Sequence, residues 1–417
     1  MKILVLTTKS PFPLYEGRAL RTYNLIKQIS KNHEIYLFTF VQTPEEMSGV
    51  EHMRTFCAHV EAEPLYLGAG KWRILPDLVR ELFGTSPLLA VKYRSRTMRK
   101  KIRAILATQD IDLVHLDMLH LGDYIDACRG KPVVLVEHNV ESVLLRRRVE
   151  NESNWLRKAY LYYQYLKLLR YEARICRQAD HVVAVSEVDA DLLRNLSGAK
   201  GITAISNGVD TAYFREIGSP RHVNGLVFVG GLNWFPNYDA IRYFCSEVLP
   251  RVAAEIPDVT LTVVGKSPDN KKIRDIIGNP RVRLTGLVDD VRPEISEADA
   301  YVVPLRIGGG TRLKILDALS MGKAIVSTSV GCEGLDVVHG RDLLVADDPE
   351  AFARETVGVL RDRELARRLG EAGRRLVQQK YEWGVIAKEL DRVYEDCRAR
   401  TRRAAVRPIA VGDGPTR

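Results

Sequence analysis

Three consecutive glycines, Gly308, Gly309 and Gly310, stand between an apolar run ending at Pro304 and an amphipathic stretch closed by Gly322. Thr311 is placed to cap the helix that this pattern predicts. Glycines admit a ligand close to the backbone, and the free N–H groups of a first helical turn attract an anion. Arg312 and Lys314 fall in that same turn, where the helix dipole disfavours cations by roughly 0.3–1 kcal/mol each. A polyanion lodged between them and the helix end would reverse the penalty. Asp317 follows Lys314 by three residues and shares its face, so its carboxylate can accept both hydroxyls of a ribose whose phosphates rest on the glycines. A plain tight turn and a solvated Lys314–Asp317 pair would use the same residue types. The coincidence of loop, cap, basic pair and carboxylate favours a nucleotide diphosphate. The segment is no P-loop, because GxxxxGK[ST] is missing, and no Gly-x-Gly-x-x-Gly follows the first apolar run, which removes the main signature of a nicotinamide oxidoreductase.

Further candidates sit where apolar runs end. His138 follows residues 133–137 and His115 follows residues 113–114; ligands of open α/β sheets bind beyond such strand ends, although a lone histidine is more often a satisfied core residue. Gly17, Arg18 and Arg21 open the first helical stretch, where the arginines read equally as ligand contacts or surface charge. Trp234, beside Asn233, reads as core before ligand contact. Asp110-Ile-Asp112 and Asp189-Ala-Asp191 have the spacing of a divalent-ion clamp. The first precedes a strand, however, and the second opens a helix where acids suit the dipole, so no metal is expected.

These residues need elements that gather strand ends. Apolar runs at residues 3–8, 35–41, 113–116, 133–137, 182–186 and 203–206 alternate with amphipathic stretches, the pattern of parallel strands covered on both faces. In the first such stretch Ala19, Thr22, Leu25, Ile26 and Ile29 share one face. After the breaker cluster Ile217-Gly218-Ser219-Pro220, the alternation resumes at residues 226–230, 260–265, 282–285, 300–304, 324–327 and 343–345. The expected fold is therefore α/β. One doubly wound domain covers residues 1–220 and a second covers 221–385, with the site in a cleft between their strand ends. A helix at 386–400 packs back on the first domain, and a basic tail, 401–417, is disordered.

With 417 residues, 46% of them hydrophobic, the chain can bury two or three cores at about 150 residues per domain. No apolar run approaches the roughly 18–20 residues that span a bilayer, and no leader pattern follows Met1, so the expected location is cytoplasmic. Six scattered cysteines without a CxxC pair argue against a disulfide framework or zinc knuckle. The net charge of +9 attracts anions, but the aromatics form no recognisable nucleic-acid module, and no nucleic acid is expected as partner. Residues 155–177 interleave Trp155, Tyr160, Tyr162, Tyr163 and Tyr165 with Arg157, Lys158, Lys167 and Arg170. Such a helix either lies on an anionic membrane surface, here the inner membrane, or packs partly buried with its cations snorkelling.

Taken in order, the motifs resemble the retaining glycosyltransferases of family 4 over nearly the whole chain. They are Gly17-Arg18, Asp112-Leu-Val-His115, Val136-Glu-His-Asn139, Ser206-Asn-Gly-Val-Asp210, Val229-Gly-Gly-Leu232, Leu284-Thr-Gly-Leu287 and the 308–322 glycine segment. The resemblance implies the GT-B fold, with two Rossmann-like domains. It also implies transfer of a sugar from a nucleotide diphosphate sugar such as a UDP sugar to a glycan or lipid-linked acceptor. The reaction would be retaining, of hexosyltransferase type, and independent of metal or cofactor, serving polysaccharide or cell-surface glycan synthesis. Donor contacts would come from Gly230, Gly231, Asn233, Gly265, Leu287, Gly308, Gly309, Gly310, Thr311 and Asp317. Gly17, Arg18 and His115 would serve the acceptor, and His138 matches the family's active-site histidine. Asp317 stands for the second glutamate of the family's E-x7-E motif, while Gly309 replaces the first, which leaves sugar recognition to backbone amides or other side chains. The family's diphosphate-binding Arg and Lys are replaced by Gly231 and Pro236-Asn237, so Arg312 and Lys314 take over that charge. A nucleotide-sugar epimerase of the same fold is the alternative, and a nucleic-acid-binding protein, suggested by the basic balance, a remote one.

Overall fold

The computed structural model describes residues 1–14, 17–43, 46–65, 84–150, 152–218, 222–267, 276, 278–307 and 313–406. They form two units: Met1–Ile205 with Ala387–Arg417, and Ser206–Ile386.

The first unit holds a seven-stranded parallel sheet: β1 (Lys2–Thr7), β2 (Glu34–Val41), β3 (His59–Pro64), β4 (Leu113–Asp117), β5 (Val133–Val136), β6 (His181–Ala184) and β7 (Ile202–Ala204). Their order is β3-β2-β1-β4-β5-β6-β7. Strand order reverses between β1 and β4, whose register pairs Ile3 with Leu113 and Thr7 with Asp117. This is the switch point at which doubly wound sheets open a crevice. β1 and β4 to β6 are mostly apolar and almost wholly buried, as strands covered on both faces are. β3, with His59, Glu61 and Glu63 on an edge, carries no apolar run and escapes pattern reading.

The second unit repeats the plan in six parallel strands: β8 (His222–Val229), β9 (Thr260–Val264), β10 (Val282–Gly286), β11 (Ala298–Val303), β12 (Ile325–Ser327) and β13 (Leu344–Val345), ordered β10-β9-β8-β11-β12-β13. Its switch point lies between β8 and β11.

The units divide at Ile205 and Ser206, earlier than the breaker cluster near residue 220 suggested, and at Ile386 and Ala387. Several contacts hold the 206–214 segment to the second unit, among them two near its start. The Val209 N–H donates to the Tyr381 carbonyl at 2.7 Å, and the Gly208 backbone presses so closely on the Trp383 ring that a Cβ there would approach to 2.7 Å. A tertiary contact thus overrides the local turn signal. The last helix, Trp383–Val406, continues through residues 401–406, which had been assigned to a disordered tail; its alanines and arginines are good helix formers. Residues 407–417 lie outside the described part. In the first unit this helix meets the sheet and its surroundings through Asp391 on His33 at 3.0 Å, Tyr394 on His115 at 2.5 Å and Arg398 on Asp112 at 3.3 Å. Asp112 therefore serves structure, and it also accepts the Lys2 N–H at 2.9 Å. No described helix is long and apolar enough to cross a membrane.

Candidate functional site

At the switch point of the first sheet a carboxylate that the residue pattern did not reveal organises the polar groups. Asp117, the last residue of β4, is buried; its Oδ1 lies 2.9 Å from His138 Nε2 and its Oδ2 accepts the Thr22 hydroxyl at 2.8 Å. His115 Nε2 is 3.7 Å from Oδ1. Burial alone would push the Asp117 carboxyl up, but the His138 and His115 imidazoles outweigh it and hold the group well below the usual carboxylate range. An ionised Asp117 makes Nε2 the protonated nitrogen of His138, which leaves Nδ1 as the atom available for further bonding. The signal was the sequence LVHLD, in which an acid closes an otherwise apolar strand.

Two expectations change here. Arg21 is neither ligand contact nor surface charge: at 1% exposure it donates to the Ile205 carbonyl at 2.8 Å, and burial lowers its guanidinium to about 10 while Asp117 opposes the drop. It shares its side of the helix with Leu25, four residues on and buried like it. His115, expected to contact the acceptor, is buried with Nδ1 against the Tyr394 hydroxyl, because the last helix covers its side of the sheet.

Arg18 remains exposed, with Nη1 3.9 Å from Met118 Sδ. Met118 has φ 103, a conformation that costs an L side chain about 1–3 kcal/mol and tends to occur at functional sites. Beyond it, burial and then Arg18, Lys92 and His138 depress His120 to about 3. Burial and these neighbouring cations thus hold His120 neutral. The first helix begins at Gly17 itself.

In the second unit the equivalent edge is built from glycine. Gly230 and Gly231 follow β8 and Gly265 follows β9, with φ of 157 at Gly230 and 137 at Gly265. A Cβ on Gly265 would lie 2.8 Å from both Gly230 C and Gly231 N, so only glycine lets these two strand ends close up. Gly265→Ala is expected to cost about 2–4 kcal/mol through backbone displacement, read as a lowered urea midpoint.

Lys314 and Asp317 belong to the helix Leu313–Ser320. The Lys314 ammonium donates to Asn237 Oδ1 at 2.8 Å and lies 4.3 Å from the centroid of the Phe228 ring. It would be 2.7 Å from a Cβ on Gly230. Asn237 in turn donates through Nδ2 to the Gly231 carbonyl at 2.9 Å. One amide thus ties the cation to the glycine turn, so Asn237 belongs to the site although its role was not read from the sequence. Among the described residues no side chain bonds the Asp317 carboxylate, and desolvation raises it to about 8. The hydroxyl of buried Tyr301 on β11 is near enough to feel its charge. Gly308, Gly309, Gly310, Thr311 and Arg312 lie outside the described residues.

A raised carboxyl has a sign. Asp317 takes up a proton on folding between its unfolded value of 3.8 and about 8, so stability falls as pH rises through that window. Asp317→Asn is expected to gain stability over the parent by about 1–3 kcal/mol at pH 8.5 and to match it near pH 4, as urea titrations at the two pH values would read.

Trp234, read as core, is 66% exposed, as is Leu287 at 82%, with Asn233 exposed beside Trp234. They follow β8 and β10 and give the edge of this sheet an apolar rim. Asp189 accepts the Ser186 hydroxyl at 2.8 Å within a helix cap, so it too is structural. The described residues hold no group of three His, Cys, Asp or Glu suited to a metal.

The comparisons agree with this geometry. Residues 16–213 match the family model described as Glycosyltransferase Family 4, and residues 223–362 match that described as Glycosyl transferases group 1. An uncharacterized 44.6 kDa protein in the cps region of Klebsiella pneumoniae is 24% identical over 85% of this chain and 90% of its own. Phosphatidyl-myo-inositol mannosyltransferase of Mycolicibacterium smegmatis is 28% identical over 51% of this chain and 56% of its own. Among solved structures, sucrose-phosphate synthase of Thermosynechococcus elongatus superposes with a TM-score of 0.67 at 18% identity, over 96% of this chain and 99% of that one. Anabaena HepE in complex with UDP gives 0.66 at 14%, over 95% of this chain and 100% of that one. With parallel sheets of the same winding in both units and both family models matched in order, the chain belongs to glycosyltransferase family 4 and is a glycosyltransferase of GT-B fold.

Proposed function

We propose that the chain moves a sugar from a nucleotide diphosphate sugar to a hydroxyl of a glycan or lipid-linked acceptor, with retention, in polysaccharide or cell-surface glycan synthesis. The observation that carries this reading is the Lys314 ammonium, tied by Asn237 to the Gly231 turn and set against Gly230. When the sugar leaves, negative charge gathers on the diphosphate oxygens. A preoriented cation and nearby backbone amides stabilise that charge, at about 2.7–4 kcal/mol for one such donor. Lys314, with Arg312, supplies the charge that a metal supplies in other transferases. Asp317, without a side-chain donor among the described residues, suits ribose hydroxyls, which donate to it and offset its desolvation. On the acceptor side, Asp117 fixes the His138 tautomer so that Nδ1 can bond a sugar or acceptor hydroxyl. A relative named for phosphatidyl-myo-inositol supports a lipid-linked acceptor, and a neighbour solved with UDP-glucose supports the donor class. On this reading the chain works in the cytoplasm, peripheral to the inner membrane, and needs neither a cofactor nor a nucleic acid.

A thermal-shift panel tests the reading: nucleoside diphosphates and their sugars raise Tm, monophosphates raise it less, and a nucleotide sugar incubated without acceptor is not epimerised. No shift with any nucleoside diphosphate would remove it.

A further inference from the structure

We propose that the exposed end of the helical hairpin formed by Glu141–Glu150 and Trp155–Gln178 docks on an anionic phospholipid bilayer. This deepens the acceptor reading above, on which it rests for the choice of a lipid surface. The two helices pack together, and Glu172 pins them: its carboxylate accepts the N–H groups of Glu141 at 2.8 Å and Ser142 at 3.2 Å. From Gln164 onward the longer helix buries Leu168, Tyr171, Glu172 and Ile175.

Its beginning is the opposite. Residues 153–160 are all exposed, with Trp155 at 74%, Leu156 at 60% and Tyr162, about two turns later, at 52%. Leu144 adds an exposed side chain from the first helix. Large apolar side chains gathered at the end of a helix leave a desolvation gain unused within the unit and mark a surface for association. Tryptophan and tyrosine are the residues that settle at a membrane–water interface.

Charge selects the occupant. Arg146, Arg147 and Arg148 end the first helix and Arg157 and Lys158 begin the second, while Glu150 and Glu152 are the only acids between Arg146 and Tyr171. Arg157 and Lys158 stand at a helix N-terminus, against its dipole, where an anionic surface would favour them. A second copy of the chain carries net +9 and is repelled. A nucleic acid would use the cations and the rings but not the aliphatic Leu144 and Leu156, which a bilayer accepts.

Flotation of the full chain with phosphatidylcholine vesicles, with and without phosphatidylglycerol, tests the docking without donor or acceptor. Binding is expected only to the anionic vesicles and is expected to weaken with salt. The pairs W155S/L156S and R157E/K158E should each lower the bound fraction by about tenfold, whereas R368E, an exposed change in the second unit, should not. All three variants should keep the nucleoside diphosphate thermal shift, so a failure of docking is distinguishable from a failure of the donor reading. Three results would overturn the proposal: no binding to anionic vesicles, undiminished binding by both hairpin pairs, or oligonucleotide binding lost in R157E/K158E with no vesicle binding at all.

Discussion

Asp117→Asn is expected to lower kcat by roughly 10²–10⁴-fold, the range seen when the carboxylate that fixes a catalytic histidine's tautomer is neutralised. Asp117 accepts from His138 Nε2 on one oxygen and from Thr22 on the other. An amide of the same shape has one acceptor and no charge, so His138 is no longer held with its proton on Nε2. The KM for the donor should move less than kcat, because the amide leaves the glycine turn of the second unit untouched. Stability carries a separate signature. The folded pKa of Asp117 is depressed, so its contribution is fully present above the unfolded value of 3.8 and is lost as pH falls toward the folded one. Urea unfolding at pH 7 should therefore show the variant weaker by about 3–5 kcal/mol, as for a broken buried pair, and the difference should narrow below pH 4. Activity retained within tenfold at normal stability would show that His138 does not depend on this carboxylate.

Lys314→Met is expected to reduce kcat/KM by roughly 10²–10³-fold, the cost of removing one preoriented donor from a developing oxyanion. Methionine is unbranched and nearly as long, so it fills most of the space beside Phe228 while removing the ammonium that faces the ring, and the fold should survive. Direct titration with a nucleoside diphosphate should show a dissociation constant raised by about 10–100-fold, one to three kcal/mol of a charge-assisted contact. Asn237→Ala, which releases the ammonium from the turn, should give a smaller loss of the same kind, and raised ionic strength should narrow both differences. If affinity and rate were unchanged in both variants, the diphosphate would have to bind elsewhere.

Much of this was legible in the residues themselves. Strands covered on both faces must be apolar throughout, so most of them announced themselves, and β3 escaped because an edge strand can carry His59, Glu61 and Glu63. Gly230, Gly231 and Gly265 were named through the family resemblance, and the structure supplies the reason, since a Cβ on Gly265 would press on the Gly230 and Gly231 backbone. Lys314 and Asp317 were readable because three residues of helix place them on one face. Local pattern failed where distant segments set the environment. Arg21, a helix residue with an ordinary surface composition around it, is buried against Ile205, 184 positions away. His115 lost its expected place to Tyr394, 279 positions along the chain.

The linear chain therefore determined the winding of both sheets, the glycine edge and the charge beside it, since strand burial, helical period and the absence of a Cβ act over a few residues. Only the tertiary structure decided that Asp117 bonds His138, that Tyr394 covers His115, and that Asn237 holds Lys314. Those assignments depend on which polar groups lose water together, and that is settled when remote elements pack.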